Sequence, residues 1–313
     1  MRNADETTRP PAAPDALPEH LLVFAHGKES GPWGTKIRHL AETARAHGYT
    51  VVSPDYRQQP DPDLRVAQLI ALAPKARGAV VLAGSSMGGY VSAMAAGALH
   101  PDALFLIAPA LYFPGYDRAP PQPPALTRVV HGWGDDIVVP DKAIRYAATH
   151  RVPLTMLDAG HTLNERLPEL ATLLGELLDQ ARLHAAYRQA RYRIATGIER
   201  RIGVVDAEAD RWLAAQGVVQ RWAIVTACNP LGVAVDEARN AAASAHLQAT
   251  LQAQGIRHLP ATGLDPAGQW PAEASELLID PPDDSAAELG RQFGQNAIVT
   301  GRLGEAPVLR WLR

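Results

Sequence analysis

The stretch Ala79-Val80-Val81-Leu82-Ala83-Gly84-Ser85-Ser86-Met87-Gly88-Gly89 decides how the first half of this chain folds. Ala79 to Ala83 is a short, wholly apolar run, which predicts a buried strand. Met87 to Leu99 is rich in Ala and Met and predicts a buried helix. Between them stands Gly84-x-Ser86-x-Gly88. A serine at so sharp a strand-to-helix turn is forced into a strained backbone. Glycines two residues before and after it let strand and helix approach without a side-chain clash. The serine Oγ is thereby held clear of the sheet, with a helix N-terminus behind it. Ser85 lacks that flanking, so Ser86 is the expected nucleophile. The Met87 N–H would face an oxyanion. The lysine that a phosphate-binding loop of the P-loop type needs is absent.

Outward from this turn, strands and helices alternate. Strands are expected over Leu21–Ala25, Thr50–Ser53, Ala103–Ile107, Leu126–Val130 and Val152–Leu157. Helices are expected over Thr35–His47, Leu64–Leu72, Asp141–Thr149 and Leu163 to about His184. The alternation predicts an α/β fold, with a parallel sheet covered by helices on both faces. In such sheets ligands bind beyond the carboxyl ends of strands. Residues just after strands therefore matter most.

A serine hydroxyl needs a base, and in this arrangement the chain order is nucleophile, acid, base. His161 follows the last strand and precedes the last helix, in Asp158-Ala159-Gly160-His161, and is the expected base. The acid should follow Leu126–Val130, where His131-Gly132-Trp133-Gly134-Asp135-Asp136 offers two aspartates. Asp135 is placed ahead of Asp136. His131 is read as orienting the loop through a backbone hydrogen bond. The second oxyanion donor should come from the loop after the first strand, His26-Gly27-Lys28, with Lys28 offering its N–H. The Pro-rich excursion from Pro109 to Pro124 follows a strand at the same edge. Its Leu111, Tyr112 and Phe113 are expected to wall an acyl pocket.

HGKESGPWGTK, SPDY, GSSMGG, HGWGDD and DAGH stand in the order of the α/β-hydrolase superfamily. The stretch from about His20 to His184 resembles its short bacterial members, which lack a large lid. The resemblance implies acyl transfer to water, on an ester or thioester of a small substrate, through a Ser-His-Asp triad. It implies no cofactor.

The remainder is expected to form a helical linker over 185–204 and a smaller C-terminal α/β domain over 205–313. From about Trp222 to Thr300 the chain resembles a bacterial domain family of unknown function, through Asn229-Pro230, Asn240, Gly263-Leu264-Asp265-Pro266 and Phe293-Gly294-Gln295-Asn296-Ala297. The polar residues Asn229, Asn240, Gln295 and Asn296 read more readily as turn formers and caps than as a pocket.

Composition bounds the rest. A net charge of −3 and no basic run give nucleic acid or an anionic membrane no electrostatic foothold. The single cysteine, Cys228, excludes an intrachain disulfide and fits a reducing compartment. No metal-ligand spacing occurs. Residues 1–19, with four prolines, lack a secretory signal and read as a flexible lead-in. A cytoplasmic protein is expected. The competing expectations are a binding or regulatory protein using the hydrolase core as scaffold, or a peptidase or perhydrolase with the same triad. Oligomeric state is not legible.

Overall fold

The computed structural model describes residues 17–116, 118–268 and 270–312. Most of the expected N-terminal lead-in lies outside the described residues. The chain divides into two compact units after Ala185.

In the first unit the strands are β1 (His20–Ala25), β2 (Tyr49–Val52), β3 (Val80–Ser85), β4 (Ala103–Ile107), β5 (Leu126–Gly132) and β6 (Leu154–Leu157). The helices are α1 (Thr35–Ala46), α2 (Pro62–Leu72), α3 (Met87–Leu99), α4 (Pro140–His150) and α5 (Leu167–Gln189). All six strands pair in parallel, in the order β2-β1-β3-β4-β5-β6. The period of two in a strand assigns each side chain to a face. Leu22 and Phe24 of β1, Val81 and Ala83 of β3 and Phe105 of β4 pack with Ile37 and Leu40 of α1 and Leu170 and Leu174 of α5. Leu21, Val23, Leu82 and Leu104 point the other way, onto Val66 and Leu69 of α2, Tyr90 and Val91 of α3 and Tyr146 of α4. Strands buried on both faces read as unbroken apolar runs, as these do.

The chain leaves β1 toward β2 on one side and returns at β3 on the other, so the strand order reverses between β1 and β3. Helix α1 covers one face and α3 the opposite one. This opens a crevice at their carboxyl ends. The two glycines of the turn have steric work to do there. A Cβ on Gly84 would lie 2.0 Å from the Gly88 carbonyl oxygen, and one on Gly88 would lie 1.9 Å from the Ala25 carbonyl oxygen. Backbone cannot yield as a flexible side chain can. Gly88→Ala is therefore expected to destabilise the first unit by about 3 kcal/mol or more, read as a fall in the urea midpoint. An unchanged midpoint would contradict the close approach of α3 to β1.

The second unit contains β7 (Arg191–Ala195), β8 (Ile198–Arg200), β9 (Trp222–Thr226), β10 (His258–Leu264), β11 (Glu273–Ile279), β12 (Ala297–Gly301) and β13 (Val308–Trp311), with helices α6 (Ala207–Ala215), α7 (Glu237–Ala253) and α8 (Ser285–Gln292). Its seven strands form one antiparallel sheet, β13-β12-β9-β11-β10-β7-β8. Helices α7 and α8 cover one face and α6 the other.

The helical linker expected over 185–204 is corrected. Helix α5 ends at Gln189, and residues 191–200 form the β7–β8 hairpin, turning at Gly197 with φ 77°. Arg191-Tyr192-Arg193-Ile194 alternates exposed and buried, and Tyr192 and Ile194 enter the core. That is a period of two, not 3.6. Among the described residues no helix is long and apolar enough to cross a membrane.

Candidate active site

Ser86 joins β3 to α3 at φ 56° and ψ −121°, a conformation costly for any residue with a Cβ. The surrounding backbone holds it there. Its N–H donates to the Ile107 carbonyl (3.0 Å), and its carbonyl accepts from the N–H groups of Gly89 (2.9 Å), Tyr90 (3.2 Å) and Ala110 (3.0 Å).

His161 lies on the segment after β6. With its proton on Nδ1, that nitrogen donates to Asp135 Oδ2 over 2.8 Å, and Nε2 lies 3.0 Å from Ser86 Oγ. The sequence separations of 26 and 75 between these partners are closed by backbone contacts at the strand ends. Trp133 N–H donates to the Leu157 carbonyl (2.8 Å) and Gly134 N–H to the Ala159 carbonyl (2.9 Å). A Cβ on Gly132 would sit 2.3 Å from that Ala159 oxygen, so glycine is needed for the two segments to meet.

Of the two aspartates, Asp135 reaches His161; Asp136 is exposed. The Asp135 side chain is wholly buried. Its Oδ1 accepts from the N–H groups of Ile137 (3.0 Å) and Val138 (2.8 Å). His131 Nε2 donates to the Val138 carbonyl (2.7 Å) and lies 3.2 Å from Asp135 Oδ2. It thus fastens the loop that carries the acid.

The expected oxyanion donors stand on the two segments flanking Ser86. Met87 is the first helical residue of α3, so its N–H has no partner within the helix. Gly27 packs against the turn: a Cβ there would lie 3.6 Å from Ser86 Cβ. Lys28 follows it and is exposed. The loop is anchored from below. Tyr56 N–H donates to His26 Nε2 (2.9 Å), and His26 Nδ1 donates to the Gly27 carbonyl (2.8 Å). The buried guanidinium of Arg65 donates to the Gln59 carbonyl (2.5 Å) and the Gly27 carbonyl (3.3 Å). It also lies 5.6 Å from the Tyr56 ring centroid. Sequence reasoning missed Arg65. An arginine among the apolar positions of the helical run 64–72 was the available signal, since arginine is almost never fully buried unpaired.

Burial lowers the pKa values of His26 and His131 below 6.5. Unfolding restores the ordinary value, so the unfolded chain binds more protons as pH falls through 6.5. Stability contributed by these two neutral imidazoles is complete above that pH and is lost below it. The thermal midpoint is expected to be lower at about pH 5.5 than at about pH 7.5. A midpoint that rises on acidification would contradict their neutral, hydrogen-bonded state.

Of the residues expected to wall an acyl pocket, Tyr112 and Phe113 line a cavity of about 370 Å³ with Tyr116, Arg118 and Arg145, and Ser86, Asp135 and His161 are not in its lining. Leu111 is corrected: it has no exposed surface and belongs to the core under α2, α3 and α4. An apolar residue next to two aromatics reads the same from sequence whether it faces a pocket or the core.

In the second unit the side chains of Asn229, Asn240 and Gln295 are hydrogen-bonded within the unit. Asn240 Oδ1 accepts from Asn229 N–H (2.9 Å), Asn229 Nδ2 donates to Glu273 (2.7 Å), and Gln295 Nε2 donates to the Cys228 carbonyl (2.9 Å). Asn229 is also left-handed, at φ 47°, as a turn former is. Cys228 is a buried free thiol.

A family model described as Uncharacterised protein family (UPF0227) matches residues 21–203, and one described as Protein of unknown function (DUF3293) matches residues 225–298. No curated protein matches the chain. Among solved structures, a Xanthomonas campestris pv. campestris protein named for the alpha/beta superfamily of hydrolases is 31% identical. The match covers 51% of this chain and 98% of that one, with a TM-score of 0.46. XC6422 from Xanthomonas campestris, named as an α/β serine hydrolase without a lid, is 25% identical over 54% of this chain and 85% of its own, with a TM-score of 0.41. Est1E from Butyrivibrio proteoclasticus is 17% identical over 54% and 90%, with a TM-score of 0.46. With a family match over residues 21–203, more than half its length, this chain belongs to the uncharacterised protein family UPF0227, and its residues 225–298 match DUF3293.

Proposed function

We propose that the first unit is a serine hydrolase that cleaves a carboxylic ester or thioester of a small substrate. One observation carries this reading: Ser86 Oγ, the His161 ring and the Asp135 carboxylate stand in a continuous hydrogen-bonded row at the strand-order reversal. Such a row has one chemical use that a scaffold would not need. Ser86 Oγ attacks the carbonyl carbon as its proton passes to His161 Nε2. Asp135 holds the Nδ1 proton in place and balances the imidazolium. The oxygen of the tetrahedral intermediate takes hydrogen bonds from the N–H groups of Met87 and Lys28. As the bond to the leaving group breaks, His161 returns its proton to the departing alcohol or thiol. A water then repeats the sequence on the acyl-enzyme, releasing the acid and restoring Ser86. Tyr112 and Phe113 would face the acyl chain.

The test is labelling of the full chain with a fluorophosphonate, together with hydrolysis of 4-nitrophenyl esters of two to six carbons and of a dipeptide anilide. Labelling and ester turnover are expected. A folded chain that takes no label would overturn the proposal. Turnover of the anilide in preference to the esters would assign the same residues to a peptidase.

A further inference from the structure

Lys36 is the second residue of α1 and lies beside the site without being part of the row described above. Its Nζ donates to Ser85 Oγ over 2.9 Å, and Ser85 is the neighbour of the nucleophile. Through that bond and one peptide link the ammonium stands within about 12 Å of Ser86 Oγ at the farthest. A small ester or thioester spans such a distance.

The position is expensive for a cation. It is largely withdrawn from water, which lowers its pKa from 10.5 to about 8. It sits in the first turn of a helix, where the macrodipole repels positive charge. Its hydrogen-bond partner is one neutral hydroxyl, that of Ser85. Two carboxylates attract it from a distance, Asp135 and Glu165. Both are bonded elsewhere: Asp135 to His161, Ile137 and Val138, and Glu165 Oε1 to the Gly160 N–H. An ammonium has three donors, and Ser85 takes one. The other two hydrogen-bond no acceptor among the described residues. A partly desolvated cation with spare donors, held against a nucleophile's neighbour, is suited to binding an anion.

We propose that Lys36 is a specificity-determining residue that receives a carboxylate on the substrate, so that the preferred substrate is a small ester or thioester bearing an anionic group. This rests on the hydrolase reading of Ser86. Ser85 holds the ammonium in place; the charge selects the substrate. At pH 7 the ammonium form predominates by about tenfold, so the selection operates near neutrality.

The full chain is assayed with mono-4-nitrophenyl glutarate and 4-nitrophenyl pentanoate, which have acyl chains of equal length and differ in the terminal carboxylate. The wild type is expected to favour the glutarate in kcat/KM. Lys36→Met is expected to lose about 10- to 100-fold on the glutarate, the worth of a hydrogen bond to a charged group. It should change the pentanoate by less than about threefold. Ser85→Ala keeps the charge but releases the ammonium from its anchor, and should weaken the preference by less than Lys36→Met does. A wild type that favours the pentanoate overturns the inference without any variant. A substrate ratio unchanged in Lys36→Met, or in Lys36→Gln where the first variant fails to fold, overturns it too. Fluorophosphonate labelling of the same samples separates the two levels. No labelling of the wild type brings down the hydrolase reading and this inference together. Labelling with an unselective ratio brings down this inference alone.

Discussion

Ser86→Ala is expected to remove ester turnover by about four to six orders of magnitude and to abolish fluorophosphonate labelling. The size follows from the chemistry. Without Oγ there is no acyl-enzyme, and His161 and Asp135 have no proton to move. What survives is the slow attack of water on a bound ester. The variant should fold, because Ser86 is held through its backbone: its N–H to Ile107 and its carbonyl to Gly89, Tyr90 and Ala110. None of these bonds uses the hydroxyl. Labelling that persists in Ser86→Ala would move the nucleophile elsewhere, with Ser85 the first to be tried. The same position carries a stability signature independent of activity. At φ 56° and ψ −121° a Cβ is strained by about 1–3 kcal/mol. Glycine is not, although it adds about 0.5–1 kcal/mol of chain entropy to be lost on folding. Ser86→Gly should therefore melt at or above Ser86→Ala, and both should be inactive. If Ser86→Gly melts clearly below Ser86→Ala, the turn is not strained in the way its dihedrals imply.

The turn itself was legible because every part of it is local. An apolar run, two glycines at fixed offsets and an Ala-rich helix lie within about twenty residues, and steric exclusion leaves few ways to join them. The parallel sheet was legible for the same reason, since its central strands β1, β3 and β4 carry unbroken apolar runs closed by turn residues. His161 could be chosen by chain order, because a base must stand at a carboxyl edge. The parts that stayed hidden depend on distance in sequence. Lys36 meets Ser85 across 49 residues, and Arg65 meets Gly27 across 38. Neither pairing leaves a periodic trace. Leu111 was placed in a pocket wall because apolarity alone does not state which side of a loop faces the core. The β7–β8 hairpin was hidden differently. The helical pattern of α5 runs on in composition past Gln189, and only the alternation of Arg191, Tyr192, Arg193 and Ile194 marks the change of period. The antiparallel pairing of the second sheet is a property of strand order, which composition does not carry.

The adjacent aspartates provide the second large effect, and a comparison in which one variant serves as control for the other. Asp135→Asn is expected to lower kcat by about three to four orders of magnitude, whereas Asp136→Asn should stay within about threefold of wild type. The difference is geometric. Asp135 is wholly buried, with Oδ2 on His161 Nδ1 at 2.8 Å and Oδ1 on two backbone N–H groups. In Asp135→Asn, those two donors require the amide oxygen at the Oδ1 position. The amide NH2 then faces His161, where a hydrogen-bond acceptor is needed. Nδ1 becomes the acceptor, the imidazole proton moves to Nε2, and the base presents an N–H to Ser86 Oγ instead of a lone pair. His131 strengthens the effect, since its Nε2 stands 3.2 Å from the same Oδ2 and would then meet a second donor. The loop stays fastened through the His131 bond to the Val138 carbonyl, so the loss should fall on kcat with little change in the thermal midpoint. Asp136 is exposed and carries no such bond to the base. An equal loss in both variants would mean that the loop, not the carboxylate, sets the rate. A larger loss in Asp136→Asn would require the loop to rearrange before catalysis, bringing the second aspartate to His161 in place of the first.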